Sequence, residues 1–241
     1  MKILAIDSSG MVASVALVED NVLRAEFTVN NKQTHSQTLL PMLEELKESL
    51  GLELETVDAI AIAAGPGSFT GLRIGSATAK GLGLALRKPL VEVPTLEGLA
   101  YNLYGTEKLV CPMMDARRSQ VYTGIYEYVG KDAAYELHVL EPQCAVEVTQ
   151  ILEKCNRLGR EVIFLGDGVP VYADRIREKM QVPYSLAPAH VNRQRAGSVA
   201  ALGAVYAARG QLVSAAEHQP EYLRKSQAER EREAESDHTG A

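Results

Sequence analysis

The chain has 241 residues, 46% of them hydrophobic, which is enough to bury a large core and to build two domains of ordinary size. A formal charge of −6, with 5% aromatic residues and no tryptophan, speaks against a general electrostatic grip on nucleic acid and against a base-stacking surface. Cys111, Cys144 and Cys155, lacking C-x-x-C spacing, suit a reduced cytoplasmic setting better than a disulfide framework or a zinc site.

MKILAIDSSG carries one lysine and a very short apolar run before Asp7, so it reads as a first strand, not a signal peptide. That run, Ile3 to Ile6, ends in the turn Asp7-Ser8-Ser9-Gly10. Ala13 to Val18 and Val22 to Val29 follow as strands joined by Glu19-Asp20-Asn21, where Asp-Asn suits a hairpin, and the three predict an antiparallel meander. His35-Ser36-Gln37 leads into a helix with Leu39, Leu43, Leu46 and Leu50 at helical spacing, closed by Gly51. Pro41 falls in its first two turns, where proline is best tolerated.

Val57 to Ala64 predicts a fourth, buried strand that breaks at Gly65-Pro66-Gly67 and feeds a helix from about Phe69 to Leu86. A Gly-rich turn at a helix start can gather backbone N–H groups around an anion; it can equally be a tight strand-to-helix connection. It is not a Walker loop, since no Gly-Lys-Ser/Thr follows, and it lacks G-x-G-x-x-G. Gly67, Gly71, Gly75, Ala79 and Gly83 recur every four residues and stack on one helical face. Each interior glycine costs about 1 kcal/mol against alanine. Such a stripe calls for a backbone packed unusually close, either this chain's own sheet or a helix of a second molecule. Arg73, Lys80 and Pro66 speak against a membrane span.

Leu90 to Val93 predicts a fifth strand, and Thr95 the cap of a helix from Leu96 to about Tyr104 with Glu97 in its first turn. Lys108 to Met113 then opens a second unit in the same way, ending in Asp115-Ala116-Arg117. Gln120 to Val129 and a stretch within Ala134 to Val148 predict strands, Thr149 to Leu158 a helix, and Glu161 to Leu165 a buried strand ending in Gly166-Asp167-Gly168. A helix from about Val169 to Met180 follows, then an Ala-rich one from Arg195 to Arg209. The repeated order reads as an internal duplication of fold: an α/β protein of two mixed-sheet lobes, 1–106 and 107–224. Residues 225–241 are almost wholly polar and are expected to form a disordered tail.

Catalytic signals are sparse. His35, His138, His190, His218 and His238 show no i,i+4 pair, and neither G-x-S-x-G nor H-E-x-x-H occurs. Ser68 reads as a helix cap; as a nucleophile it lacks a base that the sequence identifies. His35, ahead of its helix, reads as a local hydrogen-bonding or interface residue.

Two such lobes resemble the actin/sugar-kinase/Hsp70 (ASKHA) architecture. ILAIDSS followed by ASVALV, then HSQTLLPML, AAGPGSFTGLRIGSATAKGLGLAL and MMDARRSQVYTGIY, with FLGDG and a terminal PEYLR, together resemble the bacterial TsaB (YeaZ) family over nearly all of 1–224. The resemblance implies a subunit needed for threonylcarbamoyl transfer to adenosine 37 of ANN-decoding tRNAs. The sister family TsaD shares the fold and binds its metal partly through two histidines of an H-x-E-G-H segment just after the Gly-striped helix. The matching positions here are Thr95 and Leu99. A threonine hydroxyl is a poor ligand for such a metal and leucine is none, so no catalytic or metal residue is expected.

By the same resemblance the first-lobe helices dock on a TsaD-like subunit through His35, Leu39, Leu43, Leu46, Phe69, Gly71, Leu72, Arg73, Gly75, Ala79 and Gly83. The same surface pairs two copies of the chain when it is alone, and on that reading Gly75→Leu weakens pairing while leaving the fold intact. A TsaE-like ATPase and tRNA join through the complex. Asp7, Ser8, Ser9, Gly166, Asp167 and Gly168 occupy turns where ATP-binding relatives handle phosphate, although an aspartate there also serves to accept local N–H bonds. Ala116 and Arg118 add bulk at the second turn. No cofactor bound by this chain alone is expected, with ATP or ADP entering in the assembled complex. The rival reading is a stand-alone ATP-dependent or peptidase-type enzyme of the same fold.

Overall fold

Strands β1 (Lys2–Asp7), β2 (Val12–Glu19) and β3 (Val22–Asn30) form the expected antiparallel meander. Asp20 and Asn21 turn the β2–β3 hairpin with φ of 49° and 63°, the left-handed conformation that a two-residue loop needs and these residue types tolerate. The computed structural model describes residues 1–31 and 34–224, with the backbone only at Lys131, so the expectation for 225–241 lies outside the described residues. Helix α1 (His35–Leu50) buries Leu39, Met42, Leu43 and Leu46 and ends at Gly51 with φ 57°. Strand β4 (Ala59–Gly65) runs parallel to β1, and helix α2 (Phe69–Leu86) returns the chain to β5 (Leu90–Pro94). The first sheet has the order β3-β2-β1-β4-β5.

The predicted helix after β5 is shorter than its pattern: α3 (Thr95–Ala100) gives way to a single 3-10 turn at Tyr101–Leu103. Thr95 is not its cap. Its hydroxyl instead accepts the Gly65 N–H at 3.0 Å, tying α3 to the end of β4. Leu96, Leu99 and Ala100 pack with Val110, Met114, Tyr126 and Leu165 of the second half, so α3 fills the seam between the lobes.

The second lobe contains β6 (Leu109–Asp115), β7 (Gln120–Lys131), β8 (Ala134–Glu147), α4 (Val148–Leu158), β9 (Val162–Leu165), α5 (Gly168–Val171), α6 (Ala173–Lys179) and β10 (Tyr184–Leu186). Its sheet order, β8-β7-β6-β9-β10, repeats the first position for position, with the same antiparallel and parallel pairings. The duplication is therefore one of topology, and the fold is the two-lobed ASKHA type. The single helix predicted from Val169 to Met180 is broken at Tyr172, whose hydroxyl donates to the Asp115 carboxylate at 3.0 Å. Strand β10, three residues long, carries too few side chains for a period to show. Cys111 and Cys155 are buried in this lobe's core, and all three cysteines are free.

Helix α7 (Ala196–Ala208) falls within 107–224 but packs on the first sheet: Ala196, Val199, Ala200 and Leu202 cluster with Ile3, Ala5, Ala61 and Val91. Helices α1 and α2 cover the opposite face. The first lobe is thus completed by residues from the end of the chain. Among the described residues, no helix is long and apolar enough to cross a membrane.

Candidate functional site between the lobes

The Gly65-Pro66-Gly67 turn lies where backbones meet. Gly65 has φ 125°, and a Cβ there would stand 2.2 Å from the Glu221 carbonyl oxygen, so glycine is what lets the C-terminal segment cross β4. A Cβ on Gly67 would meet the Ser9 carbonyl at 2.3 Å, and the Ser68 N–H donates to that same oxygen at 2.6 Å. Ser68 Oγ accepts the Gly71 N–H at 3.3 Å, the helix cap its position predicts. Amides that an anion would need are thus engaged by the chain itself. Of the two readings of this turn, the tight connection is the one the fold uses.

The small-residue stripe also faces inward. A Cβ on Gly71 would lie 2.1 Å from the Ser8 carbonyl, one on Gly75 2.3 Å from Ser8 Oγ, and one on Gly83 2.8 Å from Ala215 Cβ. Ser8 Oγ itself donates to the Gly71 carbonyl at 2.9 Å. Ala79, Leu72, Leu39, Leu43 and Leu46 are buried in the same lobe. Two expectations are therefore corrected. These residues do not form an outward docking stripe, and a side chain added at Gly75 strikes Ser8 before it could meet a partner, so Gly75→Leu does not leave the fold intact. What α1 and α2 turn outward is Arg73, from the expected set, together with Leu40, 59% exposed, Leu84, 60% exposed, Ala77, Gly81 and Ala85, which lie outside it. A Cβ on Gly81 would meet nothing within 4 Å.

Between the lobes lies a cavity of about 590 Å³. The Ser9–Gly10 turn, His35 and the start of α2 wall one side, Asp115, Ala116, Arg117 and Asp167 the other, and Glu221 to Arg224 its mouth. Among the residues predicted for a site, the cavity brings together Ser9, His35, Phe69, Gly71 and Asp167. His35 Nε2 shares a 2.8 Å hydrogen bond with the Gly10 carbonyl, and its Nδ1 is buried without a partner.

Asp7 and Ser8 stand behind this wall. Asp7, 2% exposed, accepts the Ser9 N–H at 2.9 Å and the Ser9 hydroxyl at 2.6 Å on one oxygen. Burial pushes its carboxyl above the ordinary aspartate range, against the pull of the Ser9 bonds and of His35. A carboxyl whose folded pKa is raised gives stability below its unfolded pKa and loses it as pH rises through the folded value. Asp7→Asn keeps the acceptor oxygen and removes the charge. Its urea midpoint should therefore exceed that of the wild type at neutral pH, with the gap closing as pH falls towards about 4. A gap that does not change with pH would contradict this account of Asp7.

Asp115 accepts the Arg117 N–H at 2.9 Å and pairs with its guanidinium at 3.2 Å. Asp167, its carboxyl pushed up by burial, accepts the Asp115 N–H at 3.3 Å. Gly166 and Gly168 sit against the Met113 carbonyl, where added Cβ atoms would come within 2.1 and 3.0 Å. Arg117, Arg118 and Ser119 then run at φ 64°, 56° and 60°. A nucleotide held as in ATP-binding ASKHA proteins needs open amides and a free carboxylate at these two turns. Asp7, Ser8 and Ser9 bond inward at the first turn, and Ala116 and Arg118 bring side chains to the second.

PEYLR is the segment that closes the mouth. The Glu221 N–H donates to the Ala64 carbonyl at 2.7 Å, the Tyr222 ring stacks on Phe69 with centroids 4.5 Å apart, and Arg224 donates to the Ala116 carbonyl at 2.6 Å. It thus straps one lobe to the other. Upstream, His218 anchors it: Nε2 bonds Ser76 Oγ at 2.9 Å, and Nδ1 bonds Glu92 at 2.6 Å. Serine, histidine and carboxylate in line is also the arrangement of an acyl-transfer triad. Here Ser76 is 6% exposed, His218 is 1% exposed, and neither lines the cleft, so the relay fastens the strap. Sequence reasoning missed it because Ser76 and His218 are 142 positions apart.

The family model described as TsaD, tRNA N6-adenosine threonylcarbamoyltransferase, matches residues 23–232. The tRNA threonylcarbamoyladenosine biosynthesis protein TsaB of Bacillus subtilis is 34% identical over 95% of this chain and 96% of its own length. The Escherichia coli protein of the same name is 30% identical over the same shares. Among solved structures, YeaZ from Pseudomonas aeruginosa superposes with a TM-score of 0.76 at 30% identity, over 92% of this chain and all of that one.

Proposed function

The chain belongs to the TsaB family, whose named members serve tRNA threonylcarbamoyladenosine biosynthesis, and from that premise we propose that it is a non-catalytic scaffold subunit holding a TsaD-like enzyme in its working form. The observation that carries this reading is what has become of the two positions matching the metal histidines of TsaD. Thr95 and Leu99 are each 1% exposed. One accepts the Gly65 N–H on its hydroxyl oxygen, and the other fills the seam between the lobes. The segment that would run chemistry in the sister protein builds structure in this one.

On this reading the TsaD-like subunit docks on the outward faces of α1 and α2, where two copies of the chain pair when it is alone. A TsaE-like ATPase and tRNA join through the assembly, and ATP or ADP binds only there. The test is reconstitution of threonylcarbamoyl transfer from purified parts. The chain alone transfers nothing, the TsaD-like subunit requires it for full activity, and calorimetry of the isolated chain with ATP and magnesium shows no binding. Transfer by the lone chain, or tight nucleotide binding to it, would favour the stand-alone enzyme instead.

A further inference from the structure

We infer that the mouth of the interlobe cleft receives an unpaired RNA loop, its phosphates on Arg117, Arg118 and Arg224 and one unstacked base on Tyr222. This role rests on reading the chain as part of a tRNA-modifying assembly. The turn after β6 carries two arginines into solvent, Arg117 being 86% exposed. It does so through three successive left-handed residues, none of them glycine, a conformation that residues with side chains rarely adopt. Across the mouth Arg224 reaches the same turn, with one N–H on the Ala116 carbonyl and further donors to spare.

The carboxylates nearby cancel only part of this charge: Asp115 pairs with the Arg117 guanidinium at 3.2 Å, while among the described residues Arg118 and Arg224 have no acidic partner. Asp115 is held by Tyr172 and Arg117, Asp167 is buried against the Asp115 amide, and the exposed Glu221 at the mouth accepts the Gln143 amide. Arg73 likewise lacks an acidic partner among the described residues and lies over the Phe69 ring at 4.1 Å. Tyr222 stacks on Phe69 and remains 38% exposed at the cleft. Guanidinium groups beside exposed aromatic faces are how proteins hold unpaired RNA bases and their phosphates. A cavity of about 590 Å³ has room for a base but none for a duplex. The overall charge of −6 is a sum over the chain, whereas phosphate contact depends on the local patch.

The assembly of the full chain with its TsaD-like partner is titrated with an unmodified transcript of an ANN-decoding tRNA across a salt series. Asparagine tolerates the left-handed conformation. Arg117→Asn and Arg118→Asn should therefore keep the turn, weaken binding and each lower the slope of log K against log salt by about one. Tyr222→Leu keeps an apolar contact with Phe69 and should weaken binding about tenfold. A transcript bearing 4-thiouridine in its anticodon loop should crosslink to wild type and not to Tyr222→Leu. Sedimentation of the three variants with the partner should be unchanged.

RNA bound equally well by all three variants overturns the inference while leaving the scaffold reading standing. So does a cleft that takes ATP with magnesium and gives no RNA crosslink. Should the assembly fail to form, the scaffold reading fails. The crosslink of the lone chain to the same transcript then decides this inference, and its absence overturns it.

Discussion

Gly71→Ala should destabilise the purified chain by about 3 kcal/mol, while Gly81→Ala on the same helix should stabilise it by about 0.5–1 kcal/mol. The added methyl at 71 would stand 2.1 Å from the Ser8 carbonyl. That oxygen belongs to the backbone at the end of β1, and Ser8 Oγ is itself bonded to the Gly71 carbonyl, so neither side can give way cheaply. At 81 the methyl meets nothing within 4 Å, leaving only the gain in helix propensity and the loss of unfolded-state freedom. For a chain of this size, 1 kcal/mol moves the thermal midpoint by about 2–4 °C. The two variants should therefore separate by roughly 10 °C in thermal melts, and by opposite signs in urea. If they melt together, the inward packing of the stripe is wrong.

Gly81→Arg should leave the isolated chain folded and reduce its association with a TsaD-like partner at least about a hundredfold, or about 2.8 kcal/mol. An exposed glycine in the middle of a helix is unfavourable by itself. With Ala77 and Ala85 one turn to either side, it makes a shallow face on which another backbone can lie close, flanked by the exposed Leu84 and by Leu40 of α1. A long charged side chain there obstructs close approach and buries a charge. Leu84→Asp attacks the same face by a different route and should behave alike. Sedimentation and pull-down with the partner would read both, and undiminished association would remove α2 as the docking face.

Periodicity and turn chemistry carried most of the fold because they are local. The Asp20-Asn21 hairpin, the Gly51 stop and the Ser68 cap each depend on a few neighbouring residues. Spacing of four placed Gly71, Gly75, Ala79 and Gly83 on one face, but which way a face points is decided by the sheet beneath it. Ala77, Gly81 and Ala85 satisfy the same spacing and are the ones turned outward. The break at Tyr172 follows from a hydroxyl bond to Asp115 that no helical pattern encodes. The strap and its His218 anchor join residues more than a hundred positions apart. Composition, summed over the chain, could not show arginines gathered at one rim.

The return of α7 to the first sheet reverses the order in which the halves can mature on the ribosome. One face of the second sheet draws only on residues from Leu109 to Tyr184, and the other, packed on the earlier-made α3, is complete with Ala187 and Val191. The face of the first sheet that bears Ile3 and Ala5 stays bare until Ala196 and Val199 arrive. At ordinary elongation rates that is roughly ten to forty seconds of exposed apolar surface. The earlier-made half is therefore the later to close.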